Sequence, residues 1–306
     1  MPAHRILMHS FKGGSGRSVT TANVAHVLAR EMDQRVVCID MDLESAGASV
    51  LFEAKQAVDQ GKVWAVQDLV RGYAETAGQG TQLINIGGDF ENTVWPMLHT
   101  EVFLGDRGYI RFCPARIVSS KGDEVSLRDP EAQSRFERLL RKLGRLDYPP
   151  DFVLYDSASG LQDAACTAMM NCDSMVIFTR WSRQFVIGTT EFLRKMVCSP
   201  RLSRMKRVFL VPTAVPRIPA TGAMAARVEA RQQRLYSDIR DINGTATREY
   251  DKGPEWIKLL DPIPECSGLK WDDRIFFPPP DDAPIDAETR GVMTAYRALA
   301  KALATP

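Results

Sequence analysis

Apolar residues in this chain fall into short unbroken runs separated by longer stretches in which they recur every three or four positions. Ile6 to Met8 is the first such run; it stops at a glycine-rich loop, after which Val24, Val27 and Leu28 give Val19 to Met32 a helical spacing. Arg35 to Asp40 is a second run, apolar throughout and closed by an acid, the pattern of a parallel strand buried on both faces. Tyr109 to Cys113, Phe152 to Asp156, Met175 to Thr179 and Val208 to Val211 repeat it, with helical segments expected at Glu131 to Leu146, Leu161 to Met170, Phe185 to Val197 and Gly222 to Ile242. Strands alternating with helices predict a doubly wound, mostly parallel sheet flanked by helices, a Rossmann-like three-layer α/β sandwich whose ligands bind at the carboxyl ends of the strands. Glu53 to Glu101 is less periodic and reads as an insertion, about residues 53–105, with a helix at Val63 to Tyr73 and a weak strand at Gln82 to Ile86. The proline-rich stretches Pro212 to Pro219 and Phe277 to Pro284 are expected to be loops, and a last helix spans Ala287 to Leu303.

With 306 residues, 44% of them hydrophobic, the chain can bury one large core, and residues 1–306 are read as one domain. The formal charge of +1 removes any global pull toward nucleic acid, anionic membrane or acidic substrate. The 6 cysteines include no C-x-x-C pair and sit mostly in apolar surroundings, so reduced thiols are expected rather than disulfides or zinc; Cys113 and Cys166 are both read as buried. No apolar stretch is long enough to cross a bilayer, and a soluble, cytoplasmic, unprocessed protein is expected.

Candidate chemistry begins at Lys12-Gly13-Gly14-Ser15-Gly16-Arg17-Ser18, between the first strand and the first helix. Glycines there let successive backbone N–H groups converge on phosphate oxygens, the helix dipole adds to that field, and Ser18 places a hydroxyl where Mg²⁺ is ligated. Asp40 and Asp42 follow the second strand with one residue between them; on one side of an extended chain, one could hold a Mg²⁺-bound water while the other addresses an attacking water. Asp156 closes a third apolar strand and is followed by Ser157-Ala158-Ser159-Gly160.

The segment K-G-G-x-G-[KR]-[ST] resembles the deviant phosphate loop of the ParA/MinD family of P-loop ATPases, and D-x-D-L-E-x-x-G, met here by Asp40 to Gly47, resembles a subgroup of that family with arginine in the loop. Phe11 stands where the generic P-loop has its first glycine, and Arg17 where it has lysine. The resemblance implies a P-loop NTPase binding ATP or ADP with Mg²⁺ through Gly13, Gly14, Ser15, Gly16, Arg17, Ser18 and Val19. It implies catalytic roles for Lys12, reaching in trans across an ATP-sandwich homodimer, for Arg17 and for Asp42; metal-shell roles for Ser18, Asp40 and Asp156; γ-phosphate sensing by the Gly160 N–H; and base contacts near Pro212 and Pro264. No N-K-x-D guanine signature occurs, which favours ATP.

The function expected from this is a slowly hydrolysing dimerisation switch that recruits or positions a partner, slowed because arginine cannot take the compact ammonium position of lysine. The alternative is a non-hydrolysing nucleotide sensor or scaffold of bacterial signalling or defence. An unknown protein is the expected partner. Arg194, Lys195, Arg201, Arg204, Lys206 and Arg207 offer a basic cluster for non-specific DNA, equally readable as a solvated surface. Membrane docking is not expected, because the last helix has few bulky apolar residues.

Overall fold

The computed structural model describes residues 2–76, 80–103, 107–117, 125–199, 205–215, 222–270, 273–277 and 285–305. Strands are β1 (His4–Ser10), β2 (Arg35–Met41), β3 (Tyr73–Thr76), β4 (Gly80–Leu83), β5 (His99–Phe103), β6 (Tyr109–Cys113), β7 (Phe152–Ser157), β8 (Ser174–Thr179), β9 (Arg207–Pro212) and β10 (Ile257–Leu259). Helices are α1 (Arg17–His26), α2 (Gly47–Leu51), α3 (Lys55–Asp59), α4 (Val66–Arg71), α5 (Phe90–Thr93), α6 (Pro130–Leu143), α7 (Asp163–Asn171), α8 (Arg183–Val197), α9 (Ala223–Tyr250) and α10 (Ala287–Ala304).

One 8-stranded sheet has the order β10-β9-β8-β1-β7-β2-β6-β5. Neighbours pair in parallel except β5, which runs antiparallel to β6 at the edge. The unbroken apolar runs are explained by burial on both faces. Along β1, Leu7 belongs to a core with Val37, Ile39, Tyr155 and Ile177 beneath α4, α6, α7, α8 and α9. Ile6 and Met8 point the other way, to Cys38, Phe112, Leu154 and Val176 beneath α1, α2 and α10. A residue-by-residue alternation of side thus fills two layers from one strand. Among the described residues no helix is long and apolar enough to cross a membrane.

Local chemistry fixes the ends of the helices. Asp129 caps α6 by accepting from the Ala132 N–H at 2.9 Å, with Pro130 in the first turn and Arg141 and Lys142 in the last. The helix expected at Val63 to Tyr73 is shorter, because Trp64 N–H bonds the Met97 carbonyl instead and Gly72, at φ 83°, ends it. Helix α9 runs past Ile242 through Asn243-Gly244, which reads as a stop. Inside the helix, the Asn243 side chain accepts from Ile257 N–H at 2.8 Å and donates to Ile257 O at 2.9 Å, tying α9 to β10. The strand expected at Gln82 to Ile86 lies earlier, as β4 paired antiparallel to β3. Of the expected loops, residues 216–219 and 278–284 lie outside the described residues.

None of the cysteines forms a disulfide, and Cys113 is buried, but Cys166 is exposed on α7, contrary to the expectation of burial. Its neighbours Ala165 and Ala168 take the inward face of α7, leaving position 166 to solvent.

Candidate functional site

Strand β1 delivers the chain at Ser10 into the loop Phe11 to Gly16, and α1 begins at Arg17. Gly14 and Gly16 both have φ 74°, a left-handed conformation that side chains rarely adopt, and the space where their Cβ atoms would sit is open. Gly16 caps α1 without any side-chain hydrogen bond, so the first amides of the helix face outward with no protein acceptor from a capping side chain. They face a cavity of about 430 Å³ lined by Gly13 to Val19 with Ser10, Asp42, Ser45, Gly47, Ser159, Arg180 and Asp273. A larger hollow, of about 820 Å³, opens at the opposite end of the sheet beside Arg35 and Tyr109, the first residues of β2 and β6, and holds none of the motif residues.

Phe11 has a structural use. A Cβ on Gly188 of α8 would lie 2.4 Å from two carbons of the Phe11 ring, so the ring rests on the bare backbone of that helix. Lys12 reaches the same helix, its Nζ donating to Gln184 Oε1 at 3.1 Å. The phosphate loop is thereby docked on α8. Gly188→Ala is expected to force the ring off its seat and lower stability by about 1–3 kcal/mol, the range for overpacking. Urea unfolding of the variant checks this, and a midpoint equal to that of the wild type contradicts the docking.

Arg17 lines the cavity with its guanidinium already engaged. Its Nε donates to Asp156 Oδ1 at 2.9 Å and its other end to Asp42 Oδ2 at 3.2 Å, all three side chains nearly or fully buried. Those carboxylates hold its pKa above the usual arginine value against the opposing effect of burial. Asp42 also accepts from Ser45 N–H through Oδ1, so both of its oxygens are engaged. Asp156 Oδ1 further accepts from Thr21 Oγ1, whereas Asp156 Oδ2 is buried without a hydrogen-bond partner.

β2 ends at Met41, Asp42 follows it directly, and the turn Leu43 to Ser45 comes next, with the Ala46 N–H bonded to the Asp42 carbonyl at 2.9 Å. Asp42 lines the cavity; Asp40 lies behind it, fully buried, its Oδ1 accepting from Asp42 N–H at 3.0 Å and its Oδ2 from Ser49 N–H and Oγ at 3.0 and 2.8 Å. Ser49 Oγ in turn accepts from Ala115 N–H. Burial and the nearby Asp156 charge outweigh these donors and push the Asp40 carboxyl up to about 8.

The remaining candidates are spread more widely. Gly160 N–H donates to Ser10 O at 3.0 Å, fastening the loop after β7 to the end of β1. Pro212 is the last residue of β9, and Pro264 bridges Val215 and packs toward α10; neither lines the cavity. In the basic cluster Arg194 is ion-paired to Glu191 and Asp238, and the Arg207 guanidinium lies 5.9 Å from the centre of the Phe209 ring. Arg201 and Arg204 lie outside the described residues. Ser159, Arg180 and Asp273 line the cavity but carry no motif of their own. The signal for Arg180 was its place directly after strand Ser174–Thr179, at the carboxyl end where ligands of such sheets bind.

A phosphate chain with Mg²⁺ fits these residues. The glycine cradle is open at the uncapped start of a helix, Ser15 Oγ is buried without a partner, and the orphaned Asp156 oxygen is an acceptor with nothing to accept. Among the described residues no group of three or more His, Cys, Asp or Glu is placed to hold a metal alone. Mg²⁺ suits such a place, since it binds by one or two protein oxygens together with phosphates and water.

The chain belongs to the family described as the CobQ/CobB/MinD/ParA nucleotide binding domain (CbiA), which it matches over residues 6–274. Its fold is shared with the cell division ATPase MinD of Pyrococcus furiosus at 16% identity and a TM-score of 0.60, covering 98% of this chain and 99% of that one. The septum site-determining protein MinD of Pyrococcus horikoshii, solved with Mg-ADP, matches at 16% identity and a TM-score of 0.57, over 99% and 96% of the two chains. MinD of Aquifex aeolicus, in the MinC:MinD complex, matches at 15% identity and a TM-score of 0.56, over 98% and 95%.

Proposed function

We propose that this chain is an ATP-operated switch: it binds Mg-ATP at the phosphate loop, pairs with a second copy across the nucleotide, and returns to the single state after slow hydrolysis. The observation that carries the reading is the open glycine cradle at the uncapped N-terminus of α1, with Asp42 and Asp156 behind it. The backbone amides of Gly13 to Val19 would hold the phosphates, and the Ser18 hydroxyl and Asp156 would meet the metal, directly or through water. When bound, Mg²⁺ neutralises phosphate charge. Asp42 would orient a water, and Asp40 would act one step back, holding the Asp42 backbone through Oδ1.

Lys12 has its trans role in this reading once it leaves Gln184. Lys12→Ala is expected to keep nucleotide affinity within about threefold while dimerisation falls by at least tenfold, or about 1.4 kcal/mol. Light scattering after size exclusion with ATP or ADP measures it, and equal loss of binding and pairing goes against the trans role. The partner is proposed to be a protein, as MinC is for the Aquifex aeolicus MinD.

A second reading is favoured by one observation. Both oxygens of Asp42 are engaged, by Arg17 and by the Ser45 amide, so the carboxylate assigned to the water has no oxygen without a partner. On that reading the chain senses ATP without splitting it. Single-turnover measurement with labelled ATP decides: bound label that stays ATP over hours, alone and with candidate partners, selects the sensor.

A further inference from the structure

Charge in the nucleotide cavity is distributed unexpectedly. Among the described residues its charged lining consists of Arg17, Arg180, Asp42 and Asp273, which sum to zero. Arg17 is committed to Asp42 and Asp156, and Lys12, bonded to Gln184, is not among the lining residues. Arg180 is different: it is exposed, and among the described residues its guanidinium makes no hydrogen bond and meets no carboxylate. A polyphosphate brought into this cavity therefore finds, among the described residues, one uncommitted guanidinium, and it is not the one in the loop motif.

The backbone that carries Arg180 is fixed on both sides. Strand β8 pairs directly with β1, with Phe178 opposite Ser10, so Arg180 leaves the sheet beside the phosphate loop. Thr179 before it is held by Thr213 N–H at its carbonyl, 2.7 Å, and by Thr189 Oγ1 at its hydroxyl, 3.2 Å. Trp181 after it is buried, and its carbonyl accepts from Arg231 at 2.9 Å. With its backbone already fixed, Arg180 gives up only side-chain freedom when it finds an anion, and the planar fork matches phosphate oxygens bidentately.

We propose that Arg180 is a phosphate-contacting residue of this site, supplying in cis the positive charge that loop lysines supply elsewhere, while Arg17 serves as a buried strut between Asp42 and Asp156. The inference rests on the nucleotide reading above. It assigns Arg180 to the phosphates and not to the base, so its effect grows along the series AMP, ADP, ATP.

The test is equilibrium titration of fluorescent AMP, ADP and ATP analogues with Mg²⁺ into the wild type, Arg180→Gln and Arg180→Lys. Arg180→Gln is expected to weaken ATP at least tenfold and AMP less than threefold, a gap that narrows as salt is raised. Arg180→Lys recovers part of the loss, as a point charge without the fork. Because Arg180 is exposed and unbonded, its variants should melt within about 2 °C of the wild type, which separates lost contact from lost fold. If ATP binds Arg180→Gln as tightly as the wild type, or if AMP and ATP weaken equally, the assignment is overturned while the nucleotide reading stands. If the wild type binds none of the analogues, the nucleotide reading falls and takes this one with it.

Discussion

Arg17→Ala is expected to cost about 3–5 kcal/mol of folding free energy, because it leaves buried carboxylates without their counter-charge. The Arg17, Asp42 and Asp156 side chains are 9%, 12% and 2% exposed, so water cannot take over the lost contacts. Arg17→Lys should cost less, since a single ammonium can answer one carboxylate but not span both. Adding Asp156→Asn to Arg17→Ala should recover part of the loss, because the uncompensated charge is then removed along with its partner. Urea unfolding in nucleotide-free buffer measures all of these. A loss below about 1 kcal/mol in Arg17→Ala contradicts the strut role.

The second large effect is acid sensitivity centred on His9. The ring is fully buried between Ser157 Oγ, 2.8 Å from Nδ1, and Phe192, 5.3 Å between ring centres, and Nε2 has no partner. Burial, with the Arg17 charge adding to it, holds its pKa down to about 3. The unfolded chain takes up this proton near pH 6.5, before the folded chain can. Stability is therefore complete above about pH 6.5 and falls by about 1.4 kcal/mol per pH unit from there toward pH 3. His4, also lowered by burial, contributes in the same direction, so the informative quantity is a difference. Between pH 7 and pH 5 the wild type should lose about 2 kcal/mol more than His9→Leu. Parallel pH profiles for the two proteins go against a neutral buried His9.

How much of this could be read from sequence depended on burial and on strand order. The central strands were legible because packing on both faces leaves no polar position to break the run, as in Arg35 to Met41 and Phe152 to Ser157. Edge strand β5, His99–Phe103, and β3 lack such runs, and nothing in their spacing marks them, whereas β4 is expected as a weak strand and lies slightly earlier than its spacing suggests. The phosphate loop was legible because its glycines, basic residues and serine lie within a few positions of one another. Arg180 and Ser159 come from residues far apart in the chain, and only the order β8-β1-β7 brings them to one cavity. The direction of Arg17 was not legible either. Motif position placed it on phosphate, and its pairing with Asp42 and Asp156 is a property of side-chain packing that spacing does not encode.

Calorimetric titration of Mg-ATP into the wild type and Gly16→Val tests the central claim most directly. Gly16 has φ 74°, where a β-branched residue is strained, so the variant should lose the cradle at the start of α1. The account predicts saturable binding of one nucleotide per chain by the wild type and none by Gly16→Val, with circular dichroism confirming that the variant is folded. A wild type that gives no saturable heat, or a folded Gly16→Val that binds as well as the wild type, contradicts it.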